Sequence, residues 1–144
     1  MSLFSFKEFS PQFDESVYFA PGSQIIGNIK IGSESSVWHN CVLRGDVNQI
    51  SIGTKSNIQD LSMLHVTEVS PLIIGNNVTI GHSVTLHGCT IKDYALVGMG
   101  ATVLDNAIIG ELSIVAAGSV VPPGKEFPAR SMIMGAPAKV IREL

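Results

Sequence analysis

Aliphatic residues recur along this chain every six positions, in four runs. Ile25, Ile31, Val37 and Leu43 form the first, Ile52, Ile58 and Leu64 the second, and Ile74, Ile80 and Leu86 the third. The last and longest is Ile91, Val97, Val103, Ile109, Val115 and Val121. Two residues ahead of these aliphatics, from Val37 onward, stand mostly small side chains. They are Ser35, Cys41, Ser56, Ser62, Val78, Val84, Cys89, Ala95, Ala101, Ala107, Ser113 and Ser119. Residues two apart on a strand share a face, so each hexad carries one large and one small inward side chain. Gly27-Asn28, Asn76-Asn77 and Asp105-Asn106 then read as corners, because these types accept positive φ or bond their own backbone. A six-residue period misses the 3.6 of an amphipathic helix, and hairpin signals are scarce. The pattern predicts an all-β fold, a parallel β-helix of hexapeptide repeats. Sixteen hexads at three per turn give about five triangular coils.

The runs break where three extra residues separate Leu43 from Ile52 and four separate Leu64 from Ile74. These insertions, around Val47-Asn48-Gln49 and at 67–70, are expected to bulge as short loops. The repeat is expected to stop at Pro122-Pro123. The chain then reads as one domain over residues 1–144. It has an N-terminal cap at 1–20, the β-helix at 21–122, and an extension at 123–144 ending in a short helix over 138–144.

Composition narrows the function classes. Hydrophobic residues make up 45% of the 144, charged residues only 15%, and the mean hydropathy is +0.34. No stretch approaches the ~18 unbroken apolar residues of a membrane-spanning helix, so the excess points to faces covered by self-association and not to a membrane. A net charge of −3 without any Lys/Arg run argues against nucleic acid as a partner. Cys41 and Cys89 form no CxxC and fill small inward slots. The N-terminus shows no cationic, apolar leader, so a cytoplasmic protein with reduced thiols is expected.

Stacking the hexads turns the sequence into geometry. Leu43, Leu64 and Leu86 share an inward position, which puts Arg44, His65 and His87 in one outward column. Val37, Ile58 and Ile80 align likewise, giving a second column of His39, Asp60 and His82. Adjacent coils lie roughly 4.8 Å apart, so His65 and His87 can share an ion that imidazole nitrogens approach to about 2.0–2.1 Å. His82 lies on a different edge of the triangle. To join the same ion it must come from another subunit, and a three-fold rotation closes that heterologous contact into a ring. His39 reads as a surface residue.

The stretches Arg44-Gly45-Asp46, Asn57-Ile58-Gln59-Asp60, His65, and His82 with His87-Gly88 resemble the γ-class carbonic anhydrases, over about residues 21–144. The resemblance implies a left-handed β-helix and a homotrimer. It implies zinc (iron or cobalt in some members) held by His65, His82 and His87, with His82 donated across the interface. It further implies Gln59 near the metal's water, and Arg44, Asp46 and Asp60 in an ion-pair network at the subunit junction. The implied activity is a lyase reaction in which zinc-bound hydroxide attacks CO2 to give bicarbonate, since zinc lowers the pKa of its water to about 7. Glu68 is the remaining candidate proton shuttle. Val47 stands where the most active members carry Glu, and Ser131 where the family has Tyr. Together with the short loop, these departures imply weak turnover. Two other readings stay open. One is an acyl-CoA thioesterase or hexapeptide acyltransferase, for which Lys125, Arg130, Lys139 and Arg142 are the only basic residues in the C-terminal region. The other is a non-catalytic metal-binding trimer.

Overall fold

The computed structural model describes residues 1–144, and every element in it is a strand. The strands stack in parallel on three faces of a prism. On the first face Ser2–Phe4, the leading halves of Gln24–Ile31 and Val42–Ile52, then Met63–His65, Thr85–His87, Thr102–Val103 and Val120–Val121 pair in succession. The second face runs from Gln12–Phe13 through the trailing halves of the two long strands to Leu72–Ile74, Thr90–Ile91, Ile108–Ile109 and Glu126–Phe127. The third runs from Tyr18–Phe19 through Ser36–Val37, Asn57–Ile58, Thr79–Ile80, Leu96–Val97 and Ile114–Val115 to Ser131–Gly135. Each face therefore carries seven rungs where the hexad count predicted about five. The architecture is a β-solenoid consistent with a left-handed β-helix.

The extra coils lie at the two ends. Residues 1–20 do not merely plug the prism; they form a complete first coil paired in register with the next. The repeat also passes Pro122-Pro123, with Phe127 and Ile133 buried in the inward columns. Proline is tolerated there for a specific reason. Successive N–H groups of a strand point to opposite neighbours, and that of the residue after an inward aliphatic donates to the following coil, as Leu104 N does to Val121 O. Pro122 stands on the last rung of its face, where a donor would have no acceptor. The expected C-terminal helix is also corrected. Ala138–Glu143 is a strand that turns back antiparallel on Ser131–Gly135 and covers the open edge of the third face.

Inside, the two columns behave as the periodicity requires. Ile25, Leu43, Leu64, Leu86, Val103 and Val121 are fully buried, as are Val37, Ile58, Ile80, Val97, Val115 and Ile133. The small column contributes a hydroxyl ladder. Ser35 Oγ donates to Gly53 O at 2.8 Å and accepts from Ser56 N at 3.0 Å; Ser56 Oγ repeats this with Gly75 O and Val78 N. No buried side-chain polar atom is left without a partner, so the serines cross-link coils at little desolvation cost.

The corners depart from expectation in residue type. A left-handed backbone falls three residues after most inward aliphatics, at Glu34, Lys55, Asn77, Tyr94, Leu112 and Arg130 on one edge, and at Asn40, Leu61 and Ser83 on another. For residues other than Gly and Asn this conformation costs roughly 1–2 kcal/mol each. A coil-to-coil hydrogen bond offsets it. The N–H of each such residue donates one coil back, as Leu61 N does to His39 O at 3.0 Å and Leu112 N to Asp93 O at 3.0 Å.

Cys41 and Cys89 are free and buried, and burial pushes the Cys89 thiol up to about 12. Only the thiolate is a good nucleophile. The folded protein is therefore expected to leave both thiols unmodified by iodoacetamide at pH 8, with both alkylated once urea unfolds it; mass spectrometry reads the difference. Alkylation of the folded chain would contradict the core placement. No helix of the protein is long and apolar enough to cross a membrane.

Candidate metal centre

The two predicted outward columns exist. Arg44, His65 and His87 stand opposite one another on successive rungs of the first face. His65 Nδ1 lies 3.0 Å from His87 Nε2, with ring centroids 5.0 Å apart. The remaining nitrogen of each ring meets a carboxylate: His65 Nε2 is 2.9 Å from Asp46 Oδ1, and His87 Nδ1 is 2.5 Å from Asp105 Oδ1. An ionised carboxylate can only accept, so these outer nitrogens carry the imidazole protons. In the neutral rings the facing nitrogens then both hold lone pairs. Two lone pairs at that separation repel unless a proton or a metal ion lies between them. The donor set therefore fits a divalent metal that takes imidazole nitrogen.

Asp46 is also ion-paired to Arg44 and accepts from the Val47 N–H. Partial burial raises its pKa, but hydrogen bonds from His65, Arg44 and the Val47 backbone outweigh that and hold it below the ordinary carboxylate range. A carboxylate depressed in the folded state contributes stability that is complete above its unfolded pKa, near 3.9, and is lost as pH falls through the folded value. Urea unfolding measured between pH 3 and 6 should show the wild type losing stability on the acid side. Asp46→Asn should start lower and change less over that range; equal slopes would refute the assignment.

The second column lies on the next edge. Asp60 accepts from His82 Nδ1 at 3.1 Å on one oxygen and from His39 Nδ1 at 3.3 Å on the other. Its pKa is lowered first by its own backbone N–H; desolvation opposes this, and His39 and His82 add to the lowering. His82 is half exposed and directs its free Nε2 away from Asp60. It does not join His65 and His87: no three or more His, Cys, Asp and Glu side chains of one chain form a group able to hold a metal.

Gln59 keeps company with His82, not with the facing pair. It lines an open depression of about 500 Å³ with Ser36, Trp38, Asn57, Asp60 and His82, and its Nε2 donates to Asn57 Oδ1 at 3.1 Å. Glu68 is exposed on the second insertion and shares a separate depression with Asp46, Val47 and Asn48. Both insertions leave the ladder as expected: the pairing with Gln24–Ile31 shifts register between Gly45 and Ile50, and 67–70 lies outside any strand. The first continues as strand within Val42–Ile52, and Asn48 Nδ2 donates to Thr67 O and Glu68 O at 3.1 Å, tying the two together. Ser131 faces inward; it is buried, with Oγ donating to Pro128 O at 2.8 Å, and belongs to the hydroxyl ladder. Asp105 is the residue that sequence reasoning missed, having taken it only for a corner. The available signal was spacing, since Leu86, which ends one run, and Ile91, which begins the next, are five apart where steps within a run are six.

The model of the bacterial transferase hexapeptide repeat (six repeats) matches residues 71–104 and 88–123. A carbonic anhydrase from Geobacillus kaustophilus is 46% identical over 142 residues, covering 99% of this chain and 78% of its own length. Gamma carbonic anhydrase 2, mitochondrial, of Arabidopsis thaliana is 48% identical over 141 residues, and the match covers 94% of this chain. The chain spans about half the length of that plant relative (51%). Among solved structures, a hexapeptide transferase family protein from Anaplasma phagocytophilum superposes with a TM-score of 0.95 at 41% identity, covering 99% of this chain and 84% of that one. With the histidine columns, the carboxylates behind them and identities of this order over nearly all of its length, the chain belongs to the γ-carbonic anhydrase family of hexapeptide-repeat proteins.

Proposed function

We propose that the protein is a zinc-dependent carbonic anhydrase that hydrates CO2 to bicarbonate as a homotrimer. The observation that carries this is the facing pair His65 Nδ1 and His87 Nε2, each left with a lone pair by a carboxylate on its other nitrogen. The names of the γ-class relatives support it. His82 of a neighbouring subunit is the third ligand, since Asp60 holds its Nδ1 and leaves Nε2 free. Zinc, when bound, supplies a Lewis acid that brings the pKa of water from 15.7 to about 7. Iron or cobalt would accept the same imidazole donors.

The surface chemistry favours such an assembly. Lys30, Lys92 and Glu126 stand on the second face among exposed Phe13 and Ile73, while the first carries exposed Met63 and Val120 and the third exposed Trp38, Leu96 and Met134. Joining the first face of one subunit to the third face of the next covers the apolar side chains of those two faces and closes under three-fold symmetry. Arg44 and Asp46 then hold His65 in orientation at the junction, and Asp60 does the same for His82. Gln59 and Asn57 offer amide groups beside His82 to the polar oxygens of CO2 and bicarbonate. Glu68, on the exposed insertion, receives the proton released in each cycle. Val47 beside it offers no acceptor, so proton release limits the rate and turnover is slow. The buried, reduced thiols suit a cytoplasmic setting. Beyond the name of the Anaplasma phagocytophilum structure, the acyl-CoA reading has little support, because Lys125, Arg130, Lys139 and Arg142 lie at the far end of the prism, beyond the histidine rungs.

Zinc analysis and stopped-flow CO2 hydration on one preparation test the proposal. About one zinc per chain is expected for interface sites in a closed ring, with a rate that rises through a pKa near 7. Zinc-free protein, or a rate flat from pH 6 to 9, would overturn it.

A further inference from the structure

We propose that Asp105 is a positioning residue, which fixes His87 as its Nδ1–H tautomer and aims Nε2 at the site shared with His65. The inference rests on the metal reading above for its purpose, but not for its geometry. His87 Nδ1 and Asp105 Oδ1 are 2.5 Å apart, the shortest of the three histidine–carboxylate contacts in the candidate centre. An isolated neutral imidazole carries its proton on either nitrogen, so a fixed acceptor on one side decides which nitrogen keeps the lone pair.

The local chain is shaped to bring this carboxylate there. The step from Leu86 to Ile91 is one residue short, which tightens the corner after His87. Gly88 takes φ +55 in that corner, and a Cβ on it would stand 2.7 Å from Asp105 Oδ1 and 2.9 Å from Ser70 Cβ. The glycine thus clears the space the carboxylate occupies. From the next coil, Asn106 N donates to Gly88 O at 2.7 Å, and Asn106 Oδ1 accepts from Ser70 Oγ at 2.9 Å. Asp105 is held from above as well, its carbonyl accepting from Gly124 N at 2.8 Å. The shortened corner, the second insertion and the following coil all brace one side chain. The result is an unbroken line Asp46–His65–His87–Asp105 along a single edge, with a carboxylate closing each end. Carboxylates behind metal-binding imidazoles raise ligand basicity and set the tautomer, and removing one usually weakens metal binding by 10–100-fold.

Nitrogen-15 NMR of the imidazole rings in metal-free full-length protein reads the tautomer directly, and zinc competition against a chelator reads the affinity. In the wild type His87 should be Nδ1–H. In Asp105→Ala it should shift toward Nε2–H, with zinc affinity falling by about 10–100-fold. Asp105→Asn, whose amide oxygen can still accept from Nδ1–H, should keep the tautomer and lose less affinity, which separates orientation from a general loss of folding. A wild-type His87 already protonated on Nε2, or an Asp105→Ala protein unchanged in both tautomer and affinity, would overturn the proposal. A tautomer that shifts as expected in a protein that binds no zinc would uphold the role of Asp105 and remove the metal reading instead.

Discussion

Co-expressing His82→Ala chains with His65→Ala chains should restore zinc sites that neither variant forms alone. Each variant by itself lacks one imidazole at every interface. In a mixed ring, an interface is complete wherever the first face of a His82→Ala chain meets the third face of a His65→Ala chain. Random assembly at equal amounts makes that about one interface in four. Zinc content and hydration rate should therefore recover to about a quarter of the wild-type level, from near zero in either parent. The expectation depends on His82 lying on a different edge from the facing pair, with Asp60 and not His65 at its Nδ1. No recovery in trimers shown to be mixed would contradict the placement of His82 on a different subunit from His65 and His87. Full zinc loading of either variant alone would remove that histidine from the site.

Leu86→Ala should cost roughly 2–5 kcal/mol of stability. Leu86 is fully buried and stacked between Leu64 and Val103 in a prism too narrow to close around the lost volume. A second consequence separates this substitution from one such as Val103→Ala. The neighbours of Leu86 along the strand are Thr85 and His87, and the rung pairs His87 with His65. Slack at this position loosens the facing nitrogens, so zinc affinity should fall together with the urea midpoint. Measurements at one fixed protein concentration keep assembly from confounding the comparison. A loss below about 1 kcal/mol would mean that the coils repack around the gap.

Much of the fold was legible because a triangular coil leaves the chain little choice. One large and one small inward side chain must arrive every six residues, and Ile58, Leu64, Ile80 and Leu86 announce this on their own. The coil count came out low because the end coils break the aliphatic rule. Phe19 and Phe127 serve there as inward residues, and the one deeply buried aromatic, Phe127, follows two prolines that look like a stop. The C-terminal segment misled for another reason. Ala-Lys-Val-Ile-Arg-Glu carries helix-forming residues, but the open edge of Ser131–Gly135 offers a row of unpaired backbone groups, and pairing with it outweighs a weak local preference. Corners such as Leu61, Tyr94 and Leu112 were illegible, because their left-handed backbone is imposed by the coil below and not by their own side chains.

The candidate centre divides along the same line. By itself the sequence determined which residues point inward, and therefore that His65 and His87 share one column and His82 stands in another. That follows from periodicity alone, since strand geometry fixes side-chain direction every second residue. Only the tertiary structure decided which ring nitrogens face each other and which carboxylate stands behind each histidine. Those depend on side-chain rotamers and on corner backbone set by the neighbouring coils. Asp105 shows the limit, because its approach to His87 arises from one missing residue, the left-handed Gly88 and a coil that joins the stack later in the chain.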